Sequence, residues 1–163
     1  MAWEIKTVDY DLAFSTSNLA CSIFIDYFKD IIGLDQATYM ADKFLSLNAI
    51  NLELAQNTIF KLFYLNNEAV GFSEYKIIND RIFLSKLYVH KDYRGQRIAS
   101  FLLDDVVKYA KNLNKRAIFL TVNKHNLPTI NIYKHWNFKI IDAVKTPIGN
   151  GYIMDDYIME KTL

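Results

Sequence analysis

The stretch Leu84 to Phe101, LSKLYVHKDYRGQRIASF, constrains this chain more than any other: a β-like apolar segment runs through a short polar turn into an amphipathic helix. A strand, a tight Gly-containing turn and a helix N-terminus aim several unpaired backbone N–H groups and the positive end of a helix dipole at one spot. Such a spot suits a phosphate or pyrophosphate, and Arg94 and Arg97 add formal charge to it. The plain alternative is an ordinary strand-to-helix connection carrying surface arginines.

A second segment lies about thirty residues on. After an apolar strand, Ala117 to Val122, comes NLPTINIYKHWNF, which starts at Asn126, carries Tyr133 on a helix and ends at Phe138. Read together, the two segments resemble signatures of the GCN5-related N-acetyltransferases (GNAT). In that family the acyl-CoA pyrophosphate loop reads Arg or Gln, two residues, Gly, one residue, then Gly or Ala. Arg94 and Ala99 fit, whereas Arg97 stands where the second Gly is usual. Arg97 is expected to be already helical, at N1 or N2 with negative φ, so that its side chain is tolerated. The later signature, Asn, a helix carrying a Tyr, then Gly-Phe, is met at Asn126, Tyr133 and Phe138, with Asn137 in place of Gly. Asn tolerates φ > 0, so the helix C-terminal position survives that change.

The rest of the chain reads as one domain, residues 1–163. Hydrophobic content of 52% and aromatic content of 15%, with five Gly and two Pro, argue for a packed core and against disorder. Nineteen basic and 18 acidic side chains are interleaved to a net charge of +1, leaving no polybasic face for a nucleic-acid backbone. With no uncharged apolar stretch long enough to span a membrane, a soluble cytoplasmic protein is expected. Cys21 is the only cysteine and reads as a small buried hydrophobe, while His90, His125 and His135 lack zinc spacing, so no metal is expected.

Trp3 to Val8 alternates as a short strand, and residues 10 to 56 read as one or two helices, with a stop at Gly33 and a cap at Asp35. Thr58 to Leu65, Ala69 to Ile78 and Arg81 to Val89 form an antiparallel meander with Asn-rich turns. A helix from about Gln96 to Leu113 follows, then strand 117–122, helix Leu127 to Trp136, strand Phe138 to Lys145 and strand Tyr152 to Glu160. This order predicts an α/β (α+β) fold, a mixed, splayed sheet of about seven strands flanked by about four helices. It coincides with the element order of the acetyltransferase family.

The resemblance implies acetyl-CoA as co-substrate, its pantetheine arm pairing with the strand containing Leu87, Tyr88 and Val89 as an added strand would. The pyrophosphate would lie on the N–H groups of Gly95, Gln96, Arg97, Ile98, Ala99 and Ser100, with Arg94 reaching round it and Asn126 and Tyr133 completing the cofactor site. Tyr133 is where the family places the acid that protonates the CoA sulfur, and a backbone N–H near Val89 would stabilise the oxyanion. Glu74 is the candidate base, its alternation with Phe72 and Tyr75 allowing either a solvated face or the acceptor pocket. Asp155 and Asp156 would attract a cationic amine, and the tail GNGYIMDDYIMEKTL is similar to that of the polyamine-acetylating branch. The expected acceptor is therefore a primary amine of a small molecule, diamine or polyamine first. Two alternatives stay open: acetylation of a protein N-terminus or lysine, and a non-catalytic acyl-CoA sensor or interaction module. Exposed aromatics would support a homodimer, as is common in the family.

Overall fold

The computed structural model describes residues 2–163. Seven strands form one sheet in the order β1-β2-β3-β4-β5-β7-β6. They are β1 (Trp3–Thr7), β2 (Ile59–Leu65), β3 (Glu68–Ile78), β4 (Arg81–Val89), β5 (Ala117–Asn123), β6 (Lys139–Gly149) and β7 (Tyr152–Thr162). Every neighbouring pair is antiparallel except β4 and β5, which run parallel. Parallel strands need a crossover, and α4 (Ile98–Asn112) supplies it.

Helices cover both faces. On one, Ile98, Leu102, Val106 and Ala110 recur every three or four residues along α4 and pack onto Ile82, Leu84, Leu87, Val89, Ile118 and Leu120. Ile130 and Tyr133 of α5 (Leu127–His135) join that core. On the other face, Ala20, Phe24 and Phe28 of α1 (Ala13–Ile32) and Ala37 and Ala41 of α2 (Leu34–Leu45) enclose Phe60, Leu62 and Phe72. No helix among the described residues is long and apolar enough to cross a membrane.

The N-terminal helical region departs from expectation. It holds three α-helices, because the chain breaks again at Ser46, whose ψ of 159° is extended and whose hydroxyl accepts the Ala49 N–H at 3.2 Å to cap α3 (Leu47–Ala55). Periodicity runs through Ser46 without Gly or Pro, so only the cap marks the break. Asp35 is not a cap. Gly33, at φ 87°, alone separates α1 from α2, and Asp35 lies inside the first turn of α2, where its charge meets the helix dipole.

The turns follow the expected chemistry. Of the eight non-glycine residues with positive φ among the described residues, seven are Asn, including Asn66, Asn67, Asn79 and Asn150 at the hairpin turns. The eighth is Arg97. The last hairpin is longer than expected, with β6 running to Gly149 and β7 to Thr162.

Candidate active site

β4 and β5 touch only at their starts, Arg81–Phe83 against Ala117–Phe119. Beyond that, β4 bulges against β3: Glu74 stands opposite Lys86 and Tyr75 opposite Leu84, so Ser85 is an extra residue. A bulge bends its strand. β4 then leaves β5, and the space between them opens into a cleft of about 660 Å³, walled by Ser85 to Tyr88 on one side and Leu120 to Asn123 on the other. The His90 N–H donates to the Val70 carbonyl at 2.8 Å, so by alternation Leu87 and Val89 turn their own N–H and C=O groups away from β3 and toward the gap. Their side chains fill the α4 core, while that of Tyr88 points to the opposite face among Phe24, Tyr27, Phe28 and Phe72.

At one end of the gap lies the Arg94 to Ser100 loop. Gly95 has φ 82° and Arg97 φ 66° with ψ 13°, so Arg97 is left-handed and precedes α4 instead of belonging to it. This overturns the expectation of a helix beginning near Gln96 with Arg97 at negative φ. The position needs the left-handed conformation that Gly adopts freely, and Arg holds it at a cost of about 1 kcal/mol. The first helical bond is Phe101 N–H to the Arg97 carbonyl, 3.0 Å, so the N–H groups of Ile98, Ala99 and Ser100 lack intrahelical partners, and no side chain caps them. Arg94 does not reach round this loop. Its Nε donates to the Val89 carbonyl at 3.1 Å, and its guanidinium lies 5.1 Å from the centre of the Tyr27 ring.

The second sequence signature closes the middle of the cleft. Asn126 is buried, and its Oδ1 accepts the Tyr27 hydroxyl at 2.9 Å; the same hydroxyl lies 2.6 Å from Thr129 Oγ1. Tyr27 thus ties α1 to the start of α5, a role sequence reading missed because only the fold brings residues 27 and 126 together. At the far end of α5, the Phe138 N–H bonds the Tyr133 carbonyl at 2.9 Å and the Asn137 N–H bonds the Lys134 carbonyl at 3.0 Å, with Asn137 at φ 70°. That is a Schellman closure, and the Tyr133 and Phe138 rings meet edge to face at 5.2 Å. Asn137 replaces Gly here as expected.

Tyr133 is buried, held also by Trp136 at 5.7 Å, and lines the cleft with no hydrogen-bond partner for its hydroxyl among the described residues. Burial, and secondarily the neighbouring Tyr27, push its pKa well above that of a free phenol. The hydroxyl therefore keeps its proton at any physiological pH, as a proton donor must before it acts.

At the other end, four acidic residues meet different fates. Glu74 faces the cleft and not solvent, 5% exposed, with Lys86 Nζ 3.4 Å from its carboxylate. Burial raises its pKa, and Lys86 pulls it back. Glu53 accepts the Thr58 hydroxyl. Asp155 and Asp156, adjacent on β7, point to opposite faces: Asp155 meets Lys124 at 3.1 Å, whereas Asp156 turns into the cleft, 5% exposed, without a hydrogen-bond or ion-pair partner among the described residues. Burial pushes the Asp156 carboxyl up to about 6, with Asp155 adding to the rise and Lys124 opposing it. The chamber is closed from the side by α2. The Tyr39 hydroxyl and Lys43 Nζ both donate to the Ile148 carbonyl, at 2.7 and 2.8 Å, and Gln36 Nε2 donates to the Ile153 carbonyl at 3.3 Å. These bonds tie α2 to the β6–β7 hairpin.

Three comparisons bear on this arrangement. The PaiA N-acetyltransferase of Thermoplasma acidophilum, solved in complex with coenzyme A, superposes with a TM-score of 0.84 at 22% identity over 100% of both chains. A Rhodopseudomonas palustris protein described as a GCN5-related N-acetyltransferase and class-II aminotransferase gives 0.83 at 16% identity, covering 100% of this chain and 97% of its own. A GNAT-family acetyltransferase of Staphylococcus aureus gives 0.75 at 23% identity over 99% of each. At such identities the likeness establishes the fold. Among curated proteins none matches the chain in sequence. Residues 21–138, most of the chain and both signatures, match the profile of the Acetyltransferase (GNAT) family, and this chain belongs to that family.

Proposed function

We propose that the chain transfers the acetyl group of acetyl-CoA to a primary amine of a small molecule, with a diamine or polyamine as the favoured acceptor. The observation that carries this reading is the gap between β4 and β5, with free β4 backbone groups along it, orphan N–H donors at one end and an acid-lined chamber at the other.

In this reading the pantetheine arm extends the sheet at Leu87, Tyr88 and Val89 by pairing with the gap-facing groups of Leu87 and Val89. The pyrophosphate takes the N–H groups of Gly95, Gln96, Arg97, Ile98, Ala99 and Ser100, while Asn126 and Tyr133 complete the cofactor site farther along the cleft. Arg94 must release the Val89 carbonyl for that carbonyl to be used, and its guanidinium is then free for phosphate. The bound thioester supplies an acyl carbon already activated for attack. The gap-facing N–H of Val89 stabilises the carbonyl oxygen as negative charge builds on it. The amine nitrogen bonds to that carbon, the carbon–sulfur bond breaks, and the Tyr133 hydroxyl gives its proton to the departing thiolate.

An alkyl amine has a pKa of about 10.4, so the acceptor arrives as a cation. Glu74 and Asp156 place negative charge where it would enter. The bridge from α2 to the hairpin closes one side of the chamber, which supports a small acceptor over a protein N-terminus or lysine side chain. Residues 1–163 are taken as a single cytoplasmic catalytic domain, and Ile140, Ile141 and Ile153, exposed on the β6–β7 hairpin, are the surface for a homodimer.

The test is release of free CoA thiol from acetyl-CoA with diamines, polyamines, amino acids, aminoglycosides and peptides. Saturable release with diamines or polyamines supports the reading. Release with peptides alone would assign a polypeptide acceptor. CoA binding with no release from any acceptor would point to a non-catalytic acyl-CoA module.

A further inference from the structure

We propose that Asp156 is the general base that takes the proton from the acceptor amine. This rests on the acetyl-transfer reading above and gives to Asp156 the role for which the sequence offered Glu74.

A base must have a lone pair free for the proton it takes and lie within reach of that proton, directly or through one water. Among the carboxylates of this region, Glu74 is held by Lys86 at 3.4 Å, Glu53 by the Thr58 hydroxyl and Asp155 by Lys124 at 3.1 Å. Only Asp156 is both nearly buried and without a protein partner among the described residues. The Asp156 carboxylate opens into the cleft, largely withdrawn from bulk water, where a charged group gains from a partner of opposite charge. A cationic ligand seated on it is one that this cleft provides.

Its position agrees. Asp156 pairs with Asn123 at the end of β5, on the β5 side of the splay, across from Leu87 and Tyr88 on β4. Tyr88 has Tyr133, Tyr27, Asp156 and Glu74 all near enough for their charges to act on its hydroxyl. Tyr133, Asp156 and Tyr88 all line the one cleft. The charged and titratable groups around Asp156 are Asp155 on its own strand, Lys124 after β5, Tyr88 and Lys86 on β4, Glu74 on β3, Tyr133 on α5, and Lys43 and Glu53 where α2 and α3 roof the cleft; β6 places Val144 opposite it.

The proton balance closes. An ammonium acceptor gives one proton to the Asp156 carboxylate and becomes a neutral nucleophile. The amine then attacks, the thiolate leaves with the Tyr133 proton, the second proton of the attacking nitrogen restores the Tyr133 hydroxyl, and the carboxyl of Asp156 returns its proton to water, so one ammonium and one thioester become one amide, one thiol and one released proton. A carboxyl titrating near 6 is ionised at neutral pH and closer in basicity to the amine than an exposed Asp.

The experiment is a pH profile of kcat/KM for the best acceptor at saturating acetyl-CoA, for wild type, Asp156→Asn, Asp156→Glu and Glu74→Gln, with acetyl-CoA affinity by calorimetry as the check on folding. Wild type should rise with pH through an inflection near 6. Asp156→Asn should lose roughly 100-fold or more in kcat at neutral pH, lose the inflection, and regain rate about tenfold per pH unit as free amine becomes available. Asp156→Glu should restore the inflection at reduced rate even if Asp156→Asn fails to fold, and Glu74→Gln should keep it. Two results would overturn the assignment alone: an active wild type whose profile Asp156→Asn leaves unchanged, or a variant that raises KM with kcat intact, which would make Asp156 a counter-ion. A wild type that binds acetyl-CoA and turns over no amine would overturn the acetyl-transfer reading, and this inference with it.

Discussion

At the α4 end of the β4–β5 gap the polar groups are backbone N–H donors within one run, 95–100, whereas at the acid-lined end they are side chains drawn from α2, α3, β3, β4 and β7. Backbone donors do not titrate and survive most substitutions, so that end tolerates Arg97 where Gly is the easier residue, for about 1 kcal/mol. The acid-lined end depends on who pairs with whom. Removing Lys86 there strands Glu74, and a stranded buried charge costs more than the bond itself contributed.

Substitutions can break or sharpen this contrast. Tyr133→Phe, at the junction of the two ends, has the largest expected effect on rate: kcat falls by about 10²–10⁴, while CoA affinity and unfolding midpoint hold, because its hydroxyl leaves no protein partner behind. Unchanged turnover in a thiol-release assay would remove Tyr133 as the proton donor. Next, Lys86→Met should destabilise the fold by about 3 kcal/mol at pH 8, read by urea denaturation, and adding Glu74→Gln should recover most of it. The sign with pH follows from the raised pKa of Glu74. A carboxyl whose folded pKa lies above its unfolded value favours the folded state at low pH and loses that contribution as pH rises through the folded pKa, so the penalty in Lys86→Met should shrink toward pH 4.

Gly149→Ala should cost about 1–2 kcal/mol, because Gly149 has φ 90° and an added Cβ would lie 2.7 Å from the Tyr39 hydroxyl. The clash loosens the tie between α2 and the hairpin, so KM for the acceptor should rise while CoA affinity stays; an unmoved KM would show that the tie does not shape the acceptor chamber. The smallest effect is expected at the opposite end. Arg97→Gly relieves the left-handed strain but frees the unfolded chain, so stability should change by no more than about 0.5 kcal/mol. CoA affinity should shift by less than about threefold if backbone N–H groups do the holding. A larger loss by titration calorimetry would mean that the Arg97 side chain, and not the loop backbone, carries the contact.

The strands and both signatures were legible because each is written within a few residues: β-branched runs, Asn at turns, a loop opening a helix. The same local rules marked Asn137 as a residue that closes a helix at positive φ, which it does. They misjudged Arg97, since propensity favours negative φ for Arg and the loop's geometry overrode it. They missed the break at Ser46, where apolar spacing runs on through the cap. Glu74 showed only that it alternated with Phe72 and Tyr75; which face was wet depended on α1 to α3 folding over it.

Sequence alone thus determined the element order, the turn positions, the α4-end loop and the place of Tyr133, because hydrophobic period and turn chemistry act between residues close in the chain. Tertiary structure decided which acids are neutralised. Lys86 meets Glu74 only through the β3–β4 register, Lys124 meets Asp155 only where β5 ends beside β7, and Tyr27 meets Asn126 across 99 positions. Asp156 is left unpaired by the same geometry, since adjacent residues of a strand point to opposite faces and only Asp155 has a lysine at ion-pair distance. Pairing of charges is a property of distance in space, and no local pattern encodes it.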